Sequence, residues 1–192
     1  MFPSLNTDRL VLREITVNDA QAILDCFSNP DVLRHYGQNP LTSLEQVRQI
    51  INNFSKNYDE KRGIKWGIEL KGQEGLIGTI GFQEWSTEHK RAEISYALFP
   101  ESWGKGYARE ALNKVISFGF QEMKLLRIGA IVFTENDASN KLLTKIGFEK
   151  EGLLKKYMHQ NNVPNDTYVY SLINREHPHS ESLIDQIGTS TC

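Results

Sequence analysis

A chain of 192 residues suits one domain and buries about 70% of its unfolded surface without covalent staples. Its 22 basic and 24 acidic side chains, formal charge −2, exclude the global positive field that unspecific nucleic-acid binding needs. Cys26 and Cys192 make neither a disulfide framework nor a metal cluster; with no apolar run of about 18 residues and no export-type start, a cytoplasmic protein without membrane or direct nucleic-acid partners is expected.

From the N-terminus, Arg9 to Ile15 alternates and reads as a strand, partly apolar on both faces. Thr16 with Asp19 resembles a capping box, and Ala20, Ile23, Leu24 and Phe27 recur at helical spacing up to Asn29-Pro30. Asp31 to Leu41 is a polar-aromatic loop carrying Arg34, His35 and Tyr36. Thr42 with Glu45 then starts a second helix, whose stripe is Val47, Ile50, Ile51, Phe54 and Tyr58. Ile64, Trp66, Ile68 and Leu70 alternate, Lys71 to Gly75 turns, and Leu76 to Trp85 continues as the other arm of a hairpin. A third antiparallel strand, Glu93 to Phe99, stops at Pro100, which cannot donate to a central ladder. The tryptophans Trp66, Trp85 and Trp103 are assigned to packing.

Ser102 to Ala111 organises the remainder. Gly104 and Gly106 open the backbone, and a helix follows, with Ala108, Ala111, Leu112, Val115, Ile116 and Gly119 on one face. Main-chain amides at such a helix N-terminus suit phosphate. Neither familiar phosphate loop is present: Lys105 is followed by Gly106 rather than Ser or Thr, and Arg109 stands where a dinucleotide fingerprint needs its third glycine. Arg127 to Phe133 reads as a strand covered on both faces, parallel to Glu93–Phe99 with the helix as crossover. Asn136 or Asp137 caps a helix over Ala138 to Ile146 that ends at Gly147. Two strands close the fold, Gly152 to His159 and Thr167 to Ile173, around a turn from Gln160 to Pro164. The expectation is an α/β fold on a mixed sheet, order β-α-α-β-β-β-α-β-α-β-β, with one domain over 1–174 and a loose tail over 175–192. In that tail His177 and His179 lack a third ligand, so no metal is expected.

Trp103-Gly104-Lys105-Gly106-Tyr107-Ala108 resembles the pyrophosphate loop of the GCN5-related N-acetyltransferases (GNAT), Gln/Arg-x-x-Gly-x-Gly/Ala, with Trp103 departing at the first place. Asn136-Asp137-Ala138-Ser139 and Lys145-Ile146-Gly147-Phe148 resemble segments of the branch holding ribosomal-protein-alanine and -serine N-acetyltransferases. Thr7 to Arg13 and Asp166 to Leu172 also fit.

That resemblance implies the acyl-CoA N-acyltransferase fold, acetyl-CoA as co-substrate, no metal, and a splay between the strands 93–99 and 127–133 that admits the pantetheine arm. The amides of Gly104, Lys105, Gly106, Tyr107, Ala108 and Arg109 would hold the pyrophosphate. Leu98 and Phe99 would pair with the arm, Asn136 would hydrogen-bond it, and an amide near Ala97 or Leu98 would polarise the thioester. Glu93 is the candidate base, through a water, with a salt bridge to Arg91 as its structural alternative. Many superfamily members place an acidic tyrosine where this chain has Leu143; Ser139 is the candidate acid, or simply supports the helix cap, with Tyr96 and Tyr168 in reserve. An α-amine, with pKa near 8, needs less help than a lysine side chain. The acceptor is therefore read as a protein N-terminus, with a small-molecule amine (amino acid, polyamine or antibiotic) or a non-catalytic acyl-CoA-binding module as alternatives. A homodimer is a weak expectation of the branch.

Overall fold

The computed structural model describes residues 1–175. The expectations for the tail beyond residue 175, including those for His177 and His179, fall outside them. One eight-stranded sheet runs through the molecule in the order β1-β2-β3-β4-β5-β6-β8-β7. Its strands are β1 Leu5–Asn6, β2 Leu10–Glu14, β3 Ile64–Leu70, β4 Leu76–Ser86, β5 Arg91–Leu98, β6 Arg127–Phe133, β7 Glu149–Gln160 and β8 Val163–Ile173. The helices are α1 Ala20–Ser28, α2 Pro30–Leu33, α3 Leu44–Asp59, α4 Tyr107–Gln121 and α5 Asp137–Ile146. The expected α/β mixed sheet is borne out, and so is its order once the short β1 and α2 are added, including the parallel β5–β6 pair with α4 as crossover.

Alternation along the strands divides the core into two layers. Trp66, Ile68, Ile80, Phe82, Ala92 and Ile94 bury against Ala111, Leu112 and Val115 of α4. On the opposite face, Leu76 and Ala97 bury against Ile23 and Phe27 of α1 and Val47 and Ile51 of α3. Helices therefore cover both faces of the sheet.

Four local readings shift for identifiable reasons. β1 is too short to show a period, yet Leu5 and Asn6 pair with Leu12 and Val11. Asn29-Pro30 ends α1 and also starts α2: the Asn29 side chain accepts from the Asp31 amide at 2.9 Å, and Pro30 fills a first-turn position where no N–H is needed. The cap of α3 is Ser43 rather than Thr42, because Ser43 accepts from the Gln46 amide while the Gln46 side chain accepts from the Thr42 amide at 2.8 Å. The last hairpin turns on Asn161 and Asn162 alone, with φ of 51° and 61°. Pro164 consequently lies inside β8, opposite His159 and beyond the Thr167–Ile173 stretch that pairs with β6.

Elsewhere the sequence signals hold. Asp19 accepts from the Thr16 amide at 2.8 Å as the capping pattern requires, and it also meets Arg13, whose guanidinium reaches Glu69 at 2.7 Å. Gly147 closes α5 at φ 114°.

Trp66 anchors the larger layer. It is 0% exposed, meets Phe118 edge-on at 5.4 Å, and its indole N–H donates to the Pro3 carbonyl at 2.7 Å. Trp66→Ala should cost about 3–5 kcal/mol and lower the thermal midpoint by roughly 6–20 °C. Calorimetry or a circular-dichroism melt checks this.

Candidate active site

The site begins where a sheet ladder stops. β5 and β6 pair only through Arg91, Ala92 and Glu93 with Arg127, Ile128 and Gly129, whereas β5 stays on β4 to Leu98 and β6 stays on β8 to Phe133. Beyond Glu93 the two strands therefore diverge. The Phe99 amide donates to the Ile77 carbonyl at 2.9 Å, so alternation sends the Ala97 amide the same way and turns the Tyr96 and Leu98 amides into the gap. Of the two expected thioester-facing amides, only that of Leu98 has this direction. Phe99 does not serve the gap: its amide is used on β4, its carbonyl accepts from the Ser102 amide, and its side chain packs in the α1–α3 layer.

The glycine turn stands at the mouth of this gap. Gly104 and Gly106 adopt φ of 72° and 81°, conformations that strain any other residue. After the Trp103 amide bonds to Pro100, the next to find a backbone acceptor is Glu110, to the Gly106 carbonyl at 3.1 Å. The amides of Gly104, Lys105, Gly106, Tyr107, Ala108 and Arg109 thus point out at a helix N-terminus, a set of donors suited to a pyrophosphate. Lys105 contributes main chain only; its side chain is exposed and does not line the cleft. Trp103 is not a core residue: it is 49% exposed on the rim, with its indole N–H on the Leu98 carbonyl at 2.8 Å.

A clamp from the N-terminus holds this turn, and sequence reading missed it. Glu110 accepts from the Arg9 amide at 2.9 Å, the Arg9 Nε at 2.7 Å and the Thr7 hydroxyl at 2.6 Å. Arg9 Nη1 reaches the Lys105 carbonyl at 3.0 Å, and the guanidinium lies 4.6 Å from the Tyr107 ring centroid. With the Lys105 carbonyl held by Arg9, the amides of the turn stay free. The Glu110 carboxyl, which burial alone would raise, is held below its usual range by Thr7 and Arg9.

Across the gap, the Asn136 side-chain oxygen accepts from the Ser139 amide at 3.1 Å, so Asn136 caps α5 and its Nδ2 is left to face outward. The Ser139 hydroxyl accepts from the Tyr96 hydroxyl at 3.0 Å, a bridge from β5 to α5. Burial pushes the Tyr96 hydroxyl above its ordinary pKa, against the pull of Ser139, so it stays protonated. Leu143 is fully buried, and Tyr168 lies under the Lys150 ammonium, away from the cleft. Asn140, also unsingled by sequence, ties the ends together: its amide donates to the Phe133 and Thr134 carbonyls at 3.2 Å and its oxygen accepts from Tyr170 at 2.9 Å.

Glu93 is half-buried on the opposite face of β5 from Tyr96, without an ion pair to Arg91 among the described residues. It looks into an arm of the cleft roofed by residues 34–38. That roof is fastened by Gln160 at the hairpin tip, which donates to the Leu33 carbonyl and accepts from the Gly37 amide at 3.1 Å. One continuous cleft of about 2050 Å³ joins this arm, the gap and the glycine turn; Glu93, Leu98, Asn136 and Ser139 all line it. No cluster of three metal-type ligands occurs among the described residues, and no helix is long and apolar enough to cross a membrane.

Comparison with known proteins gives the same picture. A family model for the acetyltransferase (GNAT) domain matches residues 9–149. The chain is 54% identical over 173 residues to the uncharacterized N-acetyltransferase YoaA of Bacillus subtilis (strain 168), spanning 90% of this chain and 98% of that one. It is 27% identical over 146 residues to the spermidine N(1)-acetyltransferase of Vibrio cholerae serotype O1, spanning 76% and 82%. The crystal structure of ribosomal-protein-S5-alanine acetyltransferase from Vibrio fischeri superposes with a TM-score of 0.81 at 25% identity, covering 92% of this chain and all of that one.

Arg9→Ala should free the Lys105 carbonyl and weaken acetyl-CoA binding about five- to thirtyfold, with a smaller effect on the unliganded melt. Titration calorimetry with acetyl-CoA, alongside a melt of each protein alone, separates the two effects.

Proposed function

The chain belongs to the GNAT acetyltransferase family, and on that footing we propose that it acetylates the N-terminal α-amine of a protein, residues 1–174 acting as one transferase domain. N-acetyltransferase activity with acetyl-CoA as co-substrate comes with the family. The observation that carries the mechanism is the placement of Glu93 on one face of β5, and of Ser139 with Tyr96 on the other, where β5 leaves β6.

Acetyl-CoA supplies an activated acetyl thioester. The amides from Gly104 to Arg109 hold its pyrophosphate, and Asn136 Nδ2 and the Leu98 amide border the path of its arm. The Leu98 amide donates to the carbonyl oxygen as negative charge grows there, a contribution of roughly 3 kcal/mol in comparable sites. Glu93 receives the ammonium proton through a water, leaving a neutral amine to attack the carbonyl carbon. Little basicity is needed, since an α-amine near pKa 8 is partly neutral at pH 7. Ser139, held by the Tyr96 hydroxyl, gives its proton to the departing sulfur and regains one through cleft water, to which Glu93 returns the proton it took. The acceptor class draws support from the ribosomal-protein branch motifs and from the likeness to the S5-alanine enzyme.

Glu93→Gln should lower kcat/KM about a hundredfold or more with an N-terminal peptide and acetyl-CoA, and Ser139→Ala by a smaller factor. Because Ser139 and Tyr96 act in series, adding Tyr96→Phe to Ser139→Ala should cost little further. Coenzyme A release gives the rates, and tandem mass spectrometry places the acetyl group on the α-amine. Unchanged kcat/KM in both single variants of Glu93 and Ser139 would remove the mechanism.

A further inference from the structure

The acceptor arm holds a cation with no ion-pair partner among the described residues. Lys65, half-buried in β3, donates to the Ser95 hydroxyl at 3.0 Å and lies 3.5 Å from the Tyr36 hydroxyl, and both partners line the cleft. Gly81, between Lys65 and Ser95 in the sheet, makes this reach possible: a Cβ there would stand 2.9 Å from Lys65 Cδ. Nearby groups do not neutralise the charge. Burial pushes the Cys26 thiol up to about 12 although Lys65 pulls it down, so it carries no charge at neutral pH. Asp31 is engaged by Arg34 at 2.6 Å. Among the described residues Lys65 has no carboxylate in ion-pair contact.

Glu93 and Ser95 are two apart on one strand and share a face, about 7 Å from each other. The ammonium at Ser95 therefore stands one side-chain step from the candidate base. We propose that Lys65 is the specificity determinant of the acceptor arm: it donates to an oxygen on the carbon next to the reacting amine, selecting α-amino acyl acceptors and repelling polyamines. This rests on the acetyl-transfer reading above and narrows its acceptor. The shared chemistry is an amine with a neighbouring carbonyl or carboxylate oxygen, whether from a peptide N-terminus or a free amino acid. A polyamine would bring a second positive charge to Lys65 instead.

The test measures coenzyme A release by the full chain with alanyl tripeptide, L-alanine, isopropylamine and spermidine, in wild type and in Lys65→Met, Lys65→Arg and Lys65→Glu. The alanyl acceptors should lead isopropylamine and spermidine at least tenfold in kcat/KM. Lys65→Met should raise their KM about ten- to a hundredfold with little change in kcat, leave isopropylamine unaffected, and keep the melting shift given by acetyl-CoA. Lys65→Arg should retain the preference, and Lys65→Glu should move it toward spermidine. A lead for the tripeptide assigns the oxygen to a main-chain carbonyl, and a lead for L-alanine to a free carboxylate. Wild-type preference for spermidine, or an equal loss for alanyl acceptors and isopropylamine in Lys65→Met, overturns the proposal while acetyl transfer stands. Absence of both an acetyl-CoA melting shift and any acetylation removes the two readings together.

Discussion

The ladder between β5 and β6 lasts three residues, and the site exists because it ends there. A sheet that stops pairing in its middle must find other partners for its amides and carbonyls, since buried main-chain groups without them are costly. Here the Trp103 indole takes the Leu98 carbonyl, Ser102 takes that of Phe99, and Asn140 takes those of Phe133 and Thr134. Among the groups left over, the Tyr96 and Leu98 amides face the gap. An extended, amide-bearing ligand such as a pantetheine arm is the complement of such an opening, just as the unpaired amides of the glycine turn complement a pyrophosphate.

The two halves of the cleft are built by different means. The half at the glycine turn, proposed for the cofactor, is main chain held by side chains: Arg9, Thr7 and Glu110 fix the turn, and Asn136 and Asn140 fix α5. Its donors come from the backbone and tolerate many side chains. The half proposed for the acceptor is made of side chains held by long-range fasteners, with Gln160 drawing the 34–38 segment to the hairpin tip. Glu93 lies at the seam, as the last residue of β5 paired with β6.

Much of this was legible in the chain. Strand alternation, helix stripes and caps carry the element order, because those signals are local. The glycine turn was readable because left-handed φ at Gly104 and Gly106 leaves a compositional trace. What escaped shares one property, dependence on residues distant in sequence. Nothing around Arg9 announces that Glu110 will meet it, and Phe99 looks like a natural continuation of its strand until the Ile77 and Ser102 bonds take its main chain. Trp103 reads as a packing residue by type, yet it sits on the rim. Two adjacent asparagines replaced the longer turn that Pro164 had suggested, since the partner strand ends before that proline needs an N–H.

The Arg9–Glu110 clamp also bears on how the protein is made. Its two sides are separated by 101 residues, so the glycine turn cannot be braced until the polypeptide is more than half synthesised and β2 has docked beside β3. Closing so long a loop is an entropic expense met late in folding. Partly assembled chains carry the glycines but not the brace. A ligand that binds the braced turn therefore stabilises the completed molecule and not its precursors.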